Sequence, residues 1–158
     1  MSKFGNLVAD VSKPLRVELI DPATEEVIRD RDGKAAFISV FASDSDRGRE
    51  FDKSDRKKLN LRVKQSRNGI VEPDDQLEKN IAKCAFLTES WYLVDRVTLE
   101  PIDVPCTVEN AVDLYSPPGL TWLFVQPWAE ANKTANFLPK PAKNSAPTPS
   151  GDSAATES

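Results

Sequence analysis

The sequence contains no histidine, only two cysteines and no long apolar run. Without histidine the chain has no imidazole to act as a general base, a zinc or haem ligand, or the middle member of a Ser-His-Asp triad. Cys84 and Cys106 lie far apart and form no CxxC pair, which argues against a disulfide scaffold or a structural zinc site. No stretch approaches the ~20 apolar residues that span a bilayer, and the N-terminus lacks the apolar region of a signal peptide. We therefore expect a soluble protein with free thiols in a reducing cytoplasm.

The motifs of common catalytic and nucleotide-binding sites are also missing. The six glycines form neither GxGxxG nor GxxxxGKS/T, and no GxSxG elbow occurs. The acidic pairs at residues 44 and 46 and at residues 74 and 75 lack the further oxygen ligands of a calcium loop. Both pairs stand where helices are expected to begin, so we interpret them as helix caps. The sequence thus predicts a protein that is not an enzyme, with no catalytic, cofactor or metal site.

Charge is distributed unevenly along the 158 residues, which carry 25 acidic and 21 basic side chains. A net charge of −4 argues against a general nucleic-acid or membrane-surface binder. Residues 44–67 hold nine basic and five acidic residues, whereas residues 68–116 hold three and ten. The two segments either pack side by side or form two faces for self-association. We interpret the basic segment first as a solvated helix face, then as a docking surface for an acidic protein, and last as a nucleic-acid contact.

The fold class expected from these patterns is α+β, with a single domain over residues 1–138. Residues 139–158 contain four prolines and no Ile, Leu, Val, Met, Phe, Trp or Tyr, so they are predicted to be a disordered Pro/Ser/Thr tail. Residues 12–43 are predicted to be β-rich. Apolar and polar residues alternate over residues 15–20, and turn residues then separate two further strands at 25–29 and 35–42. These three strands predict a small antiparallel meander.

Residues 44–138 are predicted to form a mainly helical bundle. A first helix over residues 46–67 follows several candidate N-caps, contains Gly48 as a weak point and ends at Asn68-Gly69. A second helix begins at residues 73–75 and carries a core-facing stripe over residues 77–88. Residues 91–94 either extend this helix or form a short extended piece. A third helix is capped by Thr107, and Pro127 is expected to kink or break the fourth.

Two sets of side chains are candidate protein-binding surfaces. The first helix has a thin apolar stripe formed by Phe51, Leu59 and Val63, which leaves it marginal without a partner. The fourth helix brings together Trp122, Phe124 and Trp128, and tryptophan is favoured at buried interface centres. Core packing is the alternative interpretation of the three aromatics.

In order along the chain, several segments resemble the tail assembly chaperones of long-tailed bacteriophages and prophages. VELIDPATEEV is similar to the opening strand and turn of that family, where Gly is frequent at the position of Glu25. DGKAAFISVFASDSDRGRE resembles the next strand and the charged helix that follows it. VPCTVENAVDLYSPP is the strongest match, and KTANFLPK resembles the closing Asn-Phe-Leu. The resemblance spans residues 15–138.

The resemblance implies a non-catalytic function in tail assembly. Such chaperones bind the long, aggregation-prone tape measure protein in the host cytoplasm and are generally absent from the mature virion. The tail tube protein is a second implied partner, since in many phages a frameshifted extension recruits it. No nucleic acid, membrane or cofactor is implied. A structural virion component, either a minor tail protein or a head–tail connector, is the alternative.

Overall fold

A four-stranded antiparallel sheet and four α-helices build the protein, which a computed structural model describes over residues 3–66 and 75–141. The predicted α+β class is confirmed. The strands are β1 (Leu15–Glu18), β2 (Ile20–Asp21), β3 (Glu26–Val27), β4 (Phe37–Val40), β5 (Thr88–Val94) and β6 (Pro101–Ile102). The sheet has the order β1-β4-β5-β6, and β2 and β3 form a separate small hairpin.

The N-terminal strands pair differently from a simple meander. β1 pairs directly with β4, in a register that places Val17 opposite Ile38. Both side chains are buried. The intervening chain folds back as the β2–β3 hairpin, and the Ile28 amide donates to the Leu19 carbonyl at 2.8 Å. The predicted middle strand, at residues 25–29, is therefore part of a short hairpin beside the sheet. It does not lie between β1 and β4, which pair directly.

Residues 88–94 form a strand of the sheet, which answers the question that the sequence left open. β5 pairs with β4 on one side and β6 on the other, so it lies inside the sheet. It begins directly after α2, where the Thr88 hydroxyl donates to the Cys84 carbonyl at 2.8 Å and closes the last helical turn. The mainly helical segment thus also supplies two strands.

Three of the four helices begin near the predicted caps, and α4 has no side-chain cap. They are α1 (Asp46–Gln65), α2 (Gln76–Leu87), α3 (Val108–Tyr115) and α4 (Thr121–Ala131). Ser45, Asp75 and Thr107 each accept a backbone amide at the start of a helix, as expected for N-caps. The predicted stop at Asn68-Gly69, the start at residues 73–74, and residues 142–158 of the predicted tail lie outside the described residues.

The core lies between one face of the sheet and the helices. Leu19, Ile38, Leu87 and Tyr115 are among its most buried side chains. α4 spans Pro127 as one helix, so of the two expected outcomes, a kink or a break, the break does not occur. Pro127 itself is buried.

Two hairpin loops share one hydrogen-bonding pattern and are tied together. In each, an aspartate carbonyl accepts the amide four residues later: Asp21 from Glu25 at 2.7 Å and Asp95 from Leu99 at 2.8 Å. Glu25 and Leu99 both have a φ of 63°. The Arg96 guanidinium of the second loop binds the Asp21 carboxylate of the first at 2.9 Å. This end of the sheet is therefore closed by an ion pair between loops.

Candidate protein-binding groove

An open groove runs over α2 between α1 and α3. Its volume is about 480 Å³, within the range of ligand-binding clefts. α2 contacts both neighbouring helices and forms the floor. The residues that line it come from all three helices: Glu50, Phe51, Ser54, Asp55, Lys58, Asp75, Glu78, Lys79, Ala82, Phe86, Val108 and Val112. Phe51, Phe86, Val108 and Val112 make its interior apolar, and charged residues border it.

The first half of α1 is fastened to α2 by one ring contact and two ion pairs. The Phe51 and Phe86 ring centroids are 5.9 Å apart. Lys83 binds Asp52, and Lys79 binds Asp55, each at 3.0 Å. Because these acids belong to the basic helix and these lysines to the acidic segment, the two segments pack side by side through their minority charges.

The second half of α1 has little apolar support among the described residues. Leu59, Leu61 and Val63 are 39%, 55% and 40% exposed, and Gly48 near the start is the only buried residue of the helix. The low apolar content predicted for this helix is thus reflected in its exposure. A helix that buries so little is stabilised mainly by what packs onto it.

α3 forms the opposite wall and is anchored at both ends. Thr107 accepts the Asn110 amide at 3.0 Å, and the Asn110 side chain donates to the Pro105 carbonyl at 2.9 Å. Ala111 and Tyr115 are buried, and the Tyr115 hydroxyl lies 2.7 Å from the Thr88 hydroxyl. This anchoring directs Val108 and Val112 towards the groove.

The six predicted contact residues have different positions in the structure. Phe51 lines the groove, and Leu59 and Val63 follow it on the exposed half of α1. Trp122 and Trp128 are half-buried against the core, outside the groove lining.

Phe124 is only 3% exposed, so the structure favours core packing, the alternative interpretation, for this residue. Its ring packs between Tyr115, at a centroid distance of 5.6 Å, and Trp128, at 6.0 Å. For this residue the core interpretation holds, because no face of the ring is left for a partner.

Sequence patterns did not identify Ala82, Phe86, Val108 and Val112 as one surface. The sequence does contain a sign that Phe86 belongs to a surface, because this large aromatic residue lies off the apolar stripe of its own helix. The sequence contains no such sign for Val108 and Val112, since they fall on the same helical face as buried Ala111 and Tyr115.

The two cysteine thiols and the acidic side chains of the described residues were the candidate groups for chemistry. Burial raises the pKa of the Cys84 thiol to about 12, and burial also raises the pKa of Cys106. Over residues 3–66 and 75–141, no three acidic or cysteine side chains come together in a way that could hold a metal ion. In the same ranges, no helix combines the length and apolar character needed to cross a membrane.

Comparisons with family models, with curated proteins and with solved structures find no match to this chain.

Proposed function

We propose that the protein is a non-catalytic tail assembly chaperone of a long-tailed bacteriophage or prophage. It binds the tape measure protein in the cytoplasm of the bacterial host until tail tube subunits polymerise around that protein. The tail tube protein is a second partner, and the chaperone leaves before the virion is complete.

The observation that carries the proposal is the location of the strongest motif. VPCTVENAVDLYSPP, the segment most similar to the chaperone family, covers the whole of α3 with its cap. Thr107, Asn110, Ala111 and Tyr115 fix this helix in place, and Val108 and Val112 of the same motif line the groove. The residues of this motif therefore form one wall of the groove.

The shape of the groove supports a helical partner. An amphipathic helix places its apolar stripe in a groove of this kind at a three- to four-residue spacing. The α1 wall extends from Glu50 to Lys58, which is about 12 Å at 1.5 Å per residue, or two turns of a bound helix. Tape measure proteins are long and helical, so they offer many such segments.

The test is capture of the tape measure protein encoded nearby, with a variant that fills the groove floor. Ala82→Leu adds three carbons to the groove floor and should weaken capture by about tenfold or more, because the larger side chain occupies space that the partner needs. Ala129→Leu, on the exposed surface of α4, is the matched control and should capture normally. Circular dichroism checks that both variants fold. Normal capture by Ala82→Leu would remove the groove from the proposal, and no capture by the wild-type chain would remove the function.

The resemblance leaves one other function open, a structural virion component. Mass spectrometry of purified particles separates the two, since a chaperone is absent from finished particles and a minor tail or connector protein is present at fixed copy number.

A further inference from the structure

The two walls of the groove carry opposite charge on their solvent sides. Lys53 and Lys57 lie next to lining residues of α1, on the side away from α2, and Lys64 lies on the same face two turns beyond Lys57, as their helical spacing requires. Glu109 and Asp113 each follow a lining valine of α3 and lie beyond it from buried Ala111 and Tyr115. We call these two sets the basic bank and the acidic bank.

The charges of the basic bank are available to a partner. From residue 53 to residue 65, α1 has six basic residues and one acidic residue, Asp55. Asp55 is already bound to Lys79 of α2. Lys53, Lys57 and Lys64 are exposed and make no ion pair with any described residue.

The charges of the acidic bank are likewise available to a partner. Glu109 and Asp113 are exposed and unpaired within the described part of the chain. Leu61, at 55% exposure, continues the apolar strip one turn beyond Lys58. Apart from the lining acid Glu50 at the start of the α1 wall, the groove thus has a positive edge on α1 and a negative edge on α3.

We propose that the groove binds an amphipathic helix whose apolar stripe has acidic residues along one flank and basic residues along the other. The acidic flank faces Lys53, Lys57 and Lys64, and the basic flank faces Glu109 and Asp113. Opposite flanks also set the direction of the bound helix, since turning it end to end brings like charges together on both edges. This inference rests on the proposed function and specifies which tape measure segments the chaperone selects.

Two other occupants fit the groove less well. The described α1 of a second copy has basic residues on both sides of Leu61, which would oppose the basic bank. Residues 142–158 contain no Ile, Leu, Val, Met, Phe, Trp or Tyr to fill an apolar strip. Charge complementarity therefore favours a separate chain with mixed flanks.

Binding of three synthetic helical peptides to the full chain tests this inference. All three have the same leucine stripe, and their flanks are Glu/Lys, Glu/Glu or Lys/Lys. The Glu/Lys peptide should bind about tenfold more tightly than either of the others, and the difference should shrink in 1 M salt. Equal binding of the three peptides would overturn the inference.

Reversing the banks supplies the matched variants. Lys57→Glu with Lys64→Glu, and separately Glu109→Lys with Asp113→Lys, should each weaken the Glu/Lys peptide by about tenfold. The chain with all four changes should bind it as the wild type does, because the peptide turns end to end. If the lysine variant of α3 does not fold, Glu109→Gln with Asp113→Asn replaces it, with an expected loss of a few-fold. Four changes that bind no better than two would contradict the inference.

The outcomes separate this inference from the proposed function. If the bank-reversed variants capture the tape measure protein normally, the proposed function is retained and the proposed charge complementarity between groove and partner is wrong. If the wild-type chain binds the Glu/Lys peptide most tightly and captures no tape measure protein, the charge complementarity is retained and the partner is another helical protein. A dimer in light scattering without peptide, lost on reversal of one bank, would show that a second copy fills the groove and would overturn the proposed occupant.

Discussion

Glu25 holds a backbone conformation that glycine usually takes, with a φ of 63° in the loop between β2 and β3. An L-residue in this region is strained by roughly 1–2 kcal/mol, because its Cβ crowds the following carbonyl. The sequence had already marked this position, since glycine is frequent here in the family that the chain resembles. Glu25 thus occupies a position where the backbone conformation favours glycine.

Replacing Glu25 by glycine should stabilise the fold by about 0.5–1 kcal/mol, after allowance for the extra freedom of glycine in the unfolded chain. The bond from the residue 25 amide to the Asp21 carbonyl is kept. Ala23→Gly, in the same loop without positive φ, is the control and should destabilise by a similar amount. Urea unfolding measures both variants, and a loss of stability in Glu25→Gly would show that its side chain, rather than the backbone, matters here.

At the scale of the elements, α1 depends on Gly48 to pack against the turn that precedes the helix. A Cβ at this position would overlap the Ser43 carbonyl oxygen. The sequence pattern treated Gly48 as a weak point of the helix, whereas the structure shows that it permits close packing where the chain enters α1.

Gly48→Ala should therefore destabilise the protein by roughly 1–3 kcal/mol, even though alanine favours a helix by about 1 kcal/mol. Asn60→Ala, at an exposed position of the same helix, should instead stabilise it by a few tenths of a kcal/mol. Thermal unfolding followed by circular dichroism distinguishes them. Equal stabilisation by both alanines would mean that the turn before α1 relaxes without cost.

Helix starts and the strands β1 and β4 were predictable from local residues, but strand β5 was not. Asp75 and Thr107 cap helices through bonds to amides two or three residues away, so their signals are local. Residues 88–94 have no turn before them, and the strand exists because β4 lies beside it. Likewise, the groove joins residues from three helices, and no local pattern shows which helices become neighbours.

At the scale of the whole molecule, three aspartates brace the loops at one end of the sheet. The Arg96 bond lowers the pKa of Asp21, the Tyr92 hydroxyl bond lowers that of Asp30, and loop amides from Thr98 and Val97 lower that of Asp95. The three carboxylates are therefore more acidic in the folded state than in the unfolded chain.

Stability should consequently fall on acidification. A lowered folded-state pKa contributes stability above the unfolded value of about 3.9, and this contribution is lost as pH falls through the folded value. The urea midpoint should be level from pH 7 to about pH 5 and then drop below about pH 4.

Asp21→Asn should lower the midpoint at pH 7 and make the acid drop smaller, because one of the three titrating groups is gone. Asp103→Asn, exposed and without a bond to the described residues, is the matched control and should leave the midpoint at pH 7 unchanged. An identical acid drop in Asp21→Asn would assign the loss of stability to other carboxylates.

The direct passage from α2 into β5 has a consequence for binding. No linker separates Leu87 from Thr88, so the floor of the groove is covalently continuous with an inner strand of the sheet. A partner therefore meets a preorganised floor and pays no entropy to order it. The α1 wall is joined to this floor by side-chain contacts, namely the Phe51–Phe86 ring contact and the ion pairs of Asp52 and Asp55. Differences in affinity between partner segments should therefore arise mainly from how well each segment packs against α1.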